Sequence, residues 1–412
     1  MKRGLIIIAA AIQFILSGCG NVLTVKVENP VDFDRHPEMV ELSLDDVVSR
    51  LSLENDEKFV IASKGKDVPY QITWDKKVVF PVEMQAAQSQ IFKIRKGIPA
   101  EVPVQVCGDH YPHRVDDICW ENDIVGYRVY GFKEDKASGY DIFTKKNTDL
   151  PVIPEFYRKA FDPEMRKIYN EMKKVNKDSA DIFNNENMSF HVDHGYGADF
   201  YAVGPTLGAG TSALLDGDKI VYPFCWDSYE ILDDGPIRFT IRLTFRPFNI
   251  GEHENVVETR TISLDLGSHF NRTEVSFAGL DTTMPMVSGI VVQDMDGKSA
   301  GDASKGYITY PAPTMNFCKH KEVDNGTVYL GHVYPESLEK TALTYFSEEE
   351  SKARGGAKGH MLAHSQYDPA KPFTYYWGFA WNFANMETYQ EWISHVETFS
   401  AQLRTPLTVN FK

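Results

Sequence analysis

The residues best suited to chemistry lie in one stretch that mixes charged and aromatic side chains, residues 110–130. Its candidate binding residues are Arg114, Asp116, Asp117, Trp120, Glu121, Asn122, Asp123 and Arg128. Charged and amide groups can bond the hydroxyls of a sugar, and an aromatic ring can cover its C–H face. The stretch therefore favours a carbohydrate site, although an ion-paired turn followed by an ordinary β-strand would have a similar composition.

A second stretch of the same kind, residues 191–201, supplies histidines. It contains His191, His194 and Tyr201 among glycines, together with Asp193, a further candidate substrate-binding residue. Imidazole titrates near neutral pH, so His191 and His194 are the candidate proton-transfer groups, with Tyr201 as a further candidate base. A divalent metal near His191, Asp193 and His194 is a minor alternative, because the His-x-x-His spacing is wrong for a zinc pair on a helix. We predict no cofactor.

The first nineteen residues have the pattern of a bacterial lipoprotein leader. Lys2 and Arg3 precede an apolar run at positions 4–16, and Ser17-Gly18-Cys19 follows the run. Such a run is too short to span a membrane as a helix. We therefore expect residues 1–18 to be a signal peptide and Cys19 to be lipidated. The mature protein would then be exported and membrane-anchored, in the periplasm or at the cell surface.

Charge and cysteine content limit the classes of partner. The chain has 412 residues and a formal net charge of −15. An acidic surface argues against nucleic acid as a partner, so an acidic oligosaccharide would have to be met by local arginines. Cys107 and Cys119 are close enough in sequence to pair in an oxidising compartment, but the sequence leaves their pairing open.

The hydrophobic pattern predicts an all-β protein in two parts. Short alternating runs between residues 22 and 96 indicate a small antiparallel sandwich, which we place at 19–98. Further runs follow residue 124, with amphipathic helices after Asp162-Pro163 and at 389–403. We therefore predict that residues 99–412 form two large curved sheets packed face to face, with a few peripheral helices.

Segments spread over nearly the whole mature chain resemble a lipoprotein family known as domain of unknown function 4861. They are residues 29–35, 114–131, 191–205, 235–238 and 263–268. The resemblance implies a galactose-mutarotase-like β-supersandwich, encoded beside polysaccharide-degrading enzymes. One branch of the family is similar to dehydratases that act on ulvan oligosaccharides and leave a 4,5-unsaturated uronic acid.

The resemblance makes an oligosaccharide dehydratase the leading hypothesis. Removing water across C4–C5 of a uronic acid needs a cation for the carboxylate, a base for the C5 proton and an acid for the leaving hydroxyl. Arg114 or Arg128 could bind the carboxylate, and His191, His194 or Tyr201 could move protons. A glycoside hydrolase of uronic-acid oligosaccharides could use the same residue types, and a non-catalytic glycan-binding lipoprotein is a third hypothesis. All three require the two stretches to converge on one concave surface.

Overall fold

The fold is given by a computed structural model, which describes residues 22–131, 139–146, 151–318 and 320–412. The predicted signal peptide and Cys19 lie outside these ranges, so their assignment stays a prediction. Within the described ranges, no helix is long and apolar enough to cross a membrane. These residues form mainly antiparallel strands with a few helices, which confirms the predominantly β prediction.

Short strands make up most of the chain, and the helices lie between them. The first part of the chain contains β1 (Val22–Glu28), β2 (Glu38–Ser43), α1 (Leu44–Leu51), β3 (Phe59–Ser63), β4 (Lys66–Val68), β5 (Gln71–Ile72), β6 (Lys77–Val82) and β7 (Ser89–Lys96). The middle contains β8 (Cys107–Tyr111), β9 (Asp117–Glu121), β10 (Gly126–Val129), β11 (Asp141–Phe143), α2 (Ile153–Ala160), α3 (Pro163–Val175), α4 (Lys177–Asn187), β12 (Ser212–Asp216) and β13 (Lys219–Ile220). The remainder contains β14 (Ser228–Asp234), β15 (Arg238–Thr244), β16 (Phe248–Ile250), β17 (His253–Asp265), β18 (Phe270–Ala278), β19 (Met284–Val292), β20 (Ala300–Asp302), β21 (Tyr307–Pro313), β22 (Thr327–Val333), β23 (Lys340–Tyr345), α5 (Glu348–Ala353), β24 (Gly359–Tyr367), β25 (Phe373–Trp381), α6 (Tyr389–Arg404) and β26 (Thr408–Phe411).

Two sheets form the small sandwich, in the strand orders β26–β1–β7–β3–β4 and β2–β6–β5. Alternate residues of β1, such as Val25 and Val27, are buried in a core that they share with Val40 and Phe80 of the second sheet. The final strand, β26, pairs antiparallel with β1. The predicted boundary at residue 98 is therefore incomplete, because the sandwich also takes in the C-terminal strand.

The large unit has a nine-stranded antiparallel sheet as one layer. Its order is β14–β15–β17–β18–β25–β22–β21–β20, with β16 beside β17. The other layer consists of two sheets, β13–β12–β19–β24–β23 and β11–β10–β9–β8. A single core contains Ile262 and Trp377 of the nine-stranded sheet, Met286 of the five-stranded sheet, and Trp120 and Tyr127 of the four-stranded sheet. The predicted face-to-face packing is present, with two sheets where one was expected.

Helices cover the outer face of the four-stranded sheet. Asp162 caps α3, with Pro163 in its first turn, as the sequence predicts. The preceding helix, α2, buries Phe156 and Tyr157 in a cluster with Phe143 of β11. Because α4 leads directly into residues 188–201, this helical segment places the predicted histidines beside the same sheet.

Polar contacts join the small sandwich to the large unit. Gln71 of β5 bonds the backbone of Ile237 and Arg238, and the Arg238 side chain pairs with Glu41 of β2 at 2.6 Å. In the same contact region between the two units, the His36 ring packs against the His395 ring of α6, with ring centres 4.0 Å apart. The small sandwich is thus fixed against the large sheet at several points.

Candidate functional site

A tight turn between β8 and β9 presents Arg114. Val115 and Asp116 both have left-handed backbone angles (φ 42° and 56°), which a β-branched residue rarely adopts. Gly131 packs so closely on the turn that a Cβ there would lie 2.4 Å from the Cβ of Asp116. Such strain persists only where the surroundings enforce it. The turn holds Arg114 Nη1 2.7 Å from Asp117 Oδ2 and leaves 27% of the Arg114 side chain exposed.

A buried charge network lies on the outer face of the four-stranded sheet. Arg128 of β10 is directly opposite Asp141 of β11, and its Nε lies 3.1 Å from Asp141 Oδ2. Its Nη2 donates to Asp199 Oδ2 at 2.7 Å, and its Nη1 lies 3.9 Å from Asp117 Oδ2. The Arg128 side chain is only 2% exposed. One buried guanidinium therefore faces three buried carboxylates.

Two phenols complete this network. Tyr130 donates a hydrogen bond to Asp141, and Tyr157 donates to Asp117 Oδ2 at 2.5 Å. Burial raises the pKa of both phenols well above the usual value, so they stay protonated near neutral pH. Burial also raises the pKa of the Asp141 carboxyl, against the opposing charge of Arg128. Asp117 and Asp141 therefore accept hydrogen bonds from protonated phenols as well as lying near arginine.

His191 is oriented by Asp199. Its Nδ1 lies 3.1 Å from the Asp199 carbonyl oxygen and 3.4 Å from Asp199 Oδ2. Both oxygens are acceptors, so we assign the proton of the neutral ring to Nδ1 and a free lone pair to Nε2. The ring packs between Phe190 and Phe317, each with its centre 4.7 Å away, and 32% of the side chain is exposed. This is the geometry of an imidazole prepared to accept a proton at Nε2.

His191 lines a cleft of about 620 Å³ between α4 and the segment around residue 317. The guanidinium carbon of Arg114 lies 5.5 Å from the centre of the Phe190 ring, against which His191 also packs. His320, on the far wall, lies 3.5 Å from the side-chain nitrogen of Asn185. The structure thus brings Arg114 and His191, which come from the two predicted stretches, to one region of the surface.

Four of the predicted binding residues form hydrogen bonds within the protein. Trp120 is buried in the main core and donates to Asn271, whereas Asn122 bonds the carbonyl groups of Asp265 and Ser268. Glu121 pairs with a buried lysine and accepts the first amides of α2, and Asp123 accepts an amide of a neighbouring turn. The prediction that Trp120, Glu121 and Asn122 bind substrate is wrong, because these side chains are buried and their polar groups are bonded inside the protein, whereas Asp123 is only partly buried and its role stays a prediction.

Three other residues of the second stretch bond groups within the protein. Tyr201 is 4% exposed and donates to the Gly208 carbonyl group, so it is a core residue and its prediction as a base is wrong. His194 bonds the carbonyl oxygen of Ser189 at 3.2 Å. Asp193 pairs with Lys146 and accepts the amides of the glycine turn. Among the described residues, no group of three or more His, Cys, Asp or Glu side chains could hold a metal ion.

Asp116 belongs to a second histidine–carboxylate pair on the other side of the turn. Its Oδ1 lies 3.2 Å from His110 Nε2, and the His110 ring packs against Trp226 and Tyr229. Asp116 is 5% exposed and orients His110, so the prediction that it binds substrate is wrong. Cys107 and Cys119 are both free thiols, so they do not pair with each other.

Sequence reasoning missed several members of the network. Asp141 had a usable signal, because a carboxylate sits in the apolar run Tyr140-Asp-Ile-Phe143. Tyr130 and Tyr157 had none, since a tyrosine at the end of a strand or within a helix is ordinary. His110 lay inside the predicted stretch but was not singled out.

The comparisons with known proteins agree with the resemblance. The family described as "Domain of unknown function (DUF4861)" matches residues 27–409 and confirms it. "Uncharacterized protein P7" of Formosa agariphila is 25% identical over 445 aligned residues, covering all of both chains. Two solved structures from Enterococcus faecalis, an alpha-mannosidase and a protein in the Glycosyl Hydrolase Family 38, are similar with TM-scores of 0.46 and 8% identity. They cover 95% of this chain, which spans about half of theirs (46% and 47%).

Proposed function

The chain belongs to the DUF4861 family, and from that premise we propose that it is an oligosaccharide dehydratase acting on uronic-acid-containing glycans. The observation that carries the proposal is an oriented imidazole that lines a cleft, together with a partly exposed guanidinium that lies against the same aromatic ring, that of Phe190. The guanidinium can neutralise the carboxylate, and the imidazole can act in turn as the base and the acid that the elimination requires.

Arg114 is the proposed carboxylate clamp. Its guanidinium is fixed on one side by Asp117, which Tyr157 holds in turn, and is partly exposed to solvent. A guanidinium can bond both oxygens of a uronate at once, which fixes the sugar and withdraws charge from C5. Arg128 cannot take this role, because its side chain is buried among carboxylates.

His191 is the proposed proton-transfer group. Nε2 takes the C5 proton, the C5 electrons form the C4=C5 double bond, and the C4–O bond breaks. The same imidazole then returns the proton to the leaving hydroxyl, which departs as water, so protons and charges balance. Asp199 keeps the ring in the required tautomer and stabilises the imidazolium between the two transfers.

The proposal extends to the fold type and the location. A nine-stranded sheet facing a second β layer is consistent with a galactose-mutarotase-like β-supersandwich. We also propose that Cys19 anchors the exported protein to a membrane, in the periplasm or at the cell surface, where oligosaccharides reach it.

A product assay tests the function. The protein is incubated with oligosaccharides that carry a saturated uronic acid at the non-reducing end, and both ultraviolet absorbance and new reducing ends are measured. We expect the absorbance of a conjugated alkene without new reducing ends. His191→Ala should lose about 10²–10⁴ in rate, whereas His194→Ala is the matched control and should keep its activity.

Other outcomes would replace the proposal. New reducing ends without an alkene would identify a glycoside hydrolase, for which Asp178 and Asp181 of the cleft would be the candidate carboxylates. Binding without either product would identify a glycan-binding lipoprotein. Full turnover by His191→Ala would remove the catalytic role of that residue.

A further inference from the structure

A groove of about 590 Å³ runs between the small sandwich and the outer face of the nine-stranded sheet. Its volume is in the range that small ligands occupy. The candidate active site lies on the outer face of the four-stranded sheet, so the main core separates the two places. We propose that the groove is a second carbohydrate-binding site, and that it prefers neutral sugars.

Trp74 is the residue that points to a sugar. It lies in the turn between β5 and β6, borders the groove and leaves 48% of its surface exposed. Its amide donates to Asp233 Oδ1 at 2.9 Å, and the Arg242 guanidinium lies 5.0 Å from its ring centre. Both contacts come from the large unit, one to the backbone of Trp74 and one to its ring, and an exposed indole beside polar groups is the combination a sugar ring uses.

The floor of the groove carries hydroxyl groups. Thr240 and Ser263 are directly opposite each other on β15 and β17, with side-chain oxygens 3.2 Å apart, and Thr261 follows on the same face. These short side chains lie between longer charged ones and so make the floor of the depression. Hydroxyls can donate and accept, which suits sugar hydroxyls of varied orientation.

The charges in the groove argue for a neutral ligand. Arg238 donates from Nε and Nη2 to Asp265 and from Nη1 to Glu41, and Arg35 is bonded to Glu38 and to two carbonyl groups. An anionic sugar would have to displace these acidic partners. Acidic side chains also outnumber basic ones among the lining residues, which further disfavours a uronate.

This site is independent of the proposed dehydratase chemistry. It shares no residue with the cleft around His191. A protein with both sites would hold a neutral portion of a polysaccharide on one face while acting on an acidic end at the other.

Native affinity electrophoresis tests the inference on the intact protein. Gels would contain laminarin, galactomannan or xylan as neutral polymers, and alginate or polygalacturonate as acidic ones. We expect retardation by at least one neutral polymer and weaker retardation by the acidic ones. Trp74→Ala should weaken the affinity about tenfold or more, whereas Trp74→Phe should retain most of it.

Matched variants separate this site from the other one. Tyr345→Ala removes another exposed aromatic on a different sheet and should change nothing. His191→Ala should bind the polymer as the parent does, even if the dehydratase proposal fails. Thr261→Val tests the floor should Trp74→Ala fold poorly, and thermal melting checks each variant. Absence of retardation by all three neutral polymers, or equal affinity of Trp74→Ala and the parent, would overturn the inference.

Discussion

The large unit buries two arginines, and their surroundings differ. Arg260 lies in the main core, where Nε donates to Glu258 at 2.6 Å and the remaining nitrogens reach Tyr140 and the Ser212 carbonyl group. One cation meets one carboxylate there, and both are almost fully buried. Arg128 is equally buried but faces three carboxylates.

The difference lies in where each network ends. The Arg260 pair is closed inside the core. The Arg128 network continues to the surface through two of its carboxylates, since Asp117 holds Arg114 and Asp199 holds His191. Within the described residues, Nη1 of Arg128 and Oδ1 of Asp117 make no hydrogen bond, and such groups cost on the order of 1–3 kcal/mol each. A network that contains such unbonded polar groups and continues to a cleft is better explained by a function than by its contribution to packing.

The largest expected effect is on stability. Arg128→Met and Arg260→Met should each lower the free energy of unfolding by about 3–5 kcal/mol, because each leaves a buried carboxylate without its cation. The pH dependence should differ. Without Arg128 the buried carboxylates of Asp141 and Asp199 lose the guanidinium that bonds them, and protonation of buried carboxylates offsets such a loss, so the destabilisation of Arg128→Met should shrink as pH falls from 8 to 5.

Urea denaturation across that pH range measures the difference. Arg260→Met leaves only one buried carboxylate, that of Glu258, without its cation. The free energy of unfolding of Arg260→Met should therefore depend less steeply on pH than that of Arg128→Met. Equal slopes for the two variants would mean that Asp117 and Asp199 are satisfied without Arg128, and the comparison would fail.

The sequence could have shown only in part which residues of the stretch 110–130 belong to the core and which to the candidate site. The alternation of a strand places Asp117 and Trp120 on opposite faces, so the period of two already argued against one surface lined by both. Asn122 and Asp123 lie in a turn, where amides and carboxylates often bond the backbone. These errors came from treating a mixed stretch as one face.

Other features depend on contacts that the sequence does not display. Arg128 meets Asp141 across a strand pair and Asp199 from 71 positions further along the chain. The pairing of β26 with β1 joins the two ends of the described chain. By contrast, the cap of α3 and the alternation of β1 are local signals, and both were predicted correctly.

The second prediction concerns the exposed end of the network. On a confirmed uronic-acid substrate, Arg114→Lys should reduce kcat/KM nearly as much as Arg114→Ala, by about 10²-fold, because a point charge cannot bond both carboxylate oxygens. Arg50→Lys, on α1 of the small sandwich, is the matched control. Activity of Arg114→Lys close to that of the parent would show that only charge is needed there.

The third prediction concerns the carboxylate that joins His191 to Arg128. Asp199→Asn should lower kcat by about 10–100-fold, the usual effect of removing the partner of a functional histidine. The amide can present its NH₂ group to Nδ1, which would move the ring proton to Nε2 and block the base. The pH–rate profile should change with it, whereas Asp193→Asn should leave the profile as it is. An unchanged profile for Asp199→Asn would mean that the backbone carbonyl group alone orients the ring.

The smallest expected effect concerns a cluster of three packed histidines. It extends the comparison from the two arginine networks to imidazoles that carry no charge. His395 packs against His36 and His269, with ring centres 4.0 Å and 4.9 Å apart, where the small sandwich, the nine-stranded sheet and α6 meet. Burial lowers the pKa of all three imidazoles, that of His269 to about 4. Arg35 and Glu38, which flank His36 in the sequence, are paired with each other.

Because these folded pKa values lie below the ordinary value of about 6.5, the unfolded chain binds more protons than the native protein as the pH falls. The stability due to this cluster is therefore complete above about pH 6.5 and is lost from there down towards about pH 4. His395→Phe keeps a ring in place and removes one of the titrating groups. Its free energy of unfolding should fall less steeply with acidification, by up to about 1.4 kcal/mol per pH unit. Urea denaturation between pH 7 and pH 4 measures how steeply the free energy of unfolding depends on pH. His253→Gln, at the first residue of β17, is the control. A slope for His395→Phe equal to that of the parent would show that the cluster does not take part in acid unfolding.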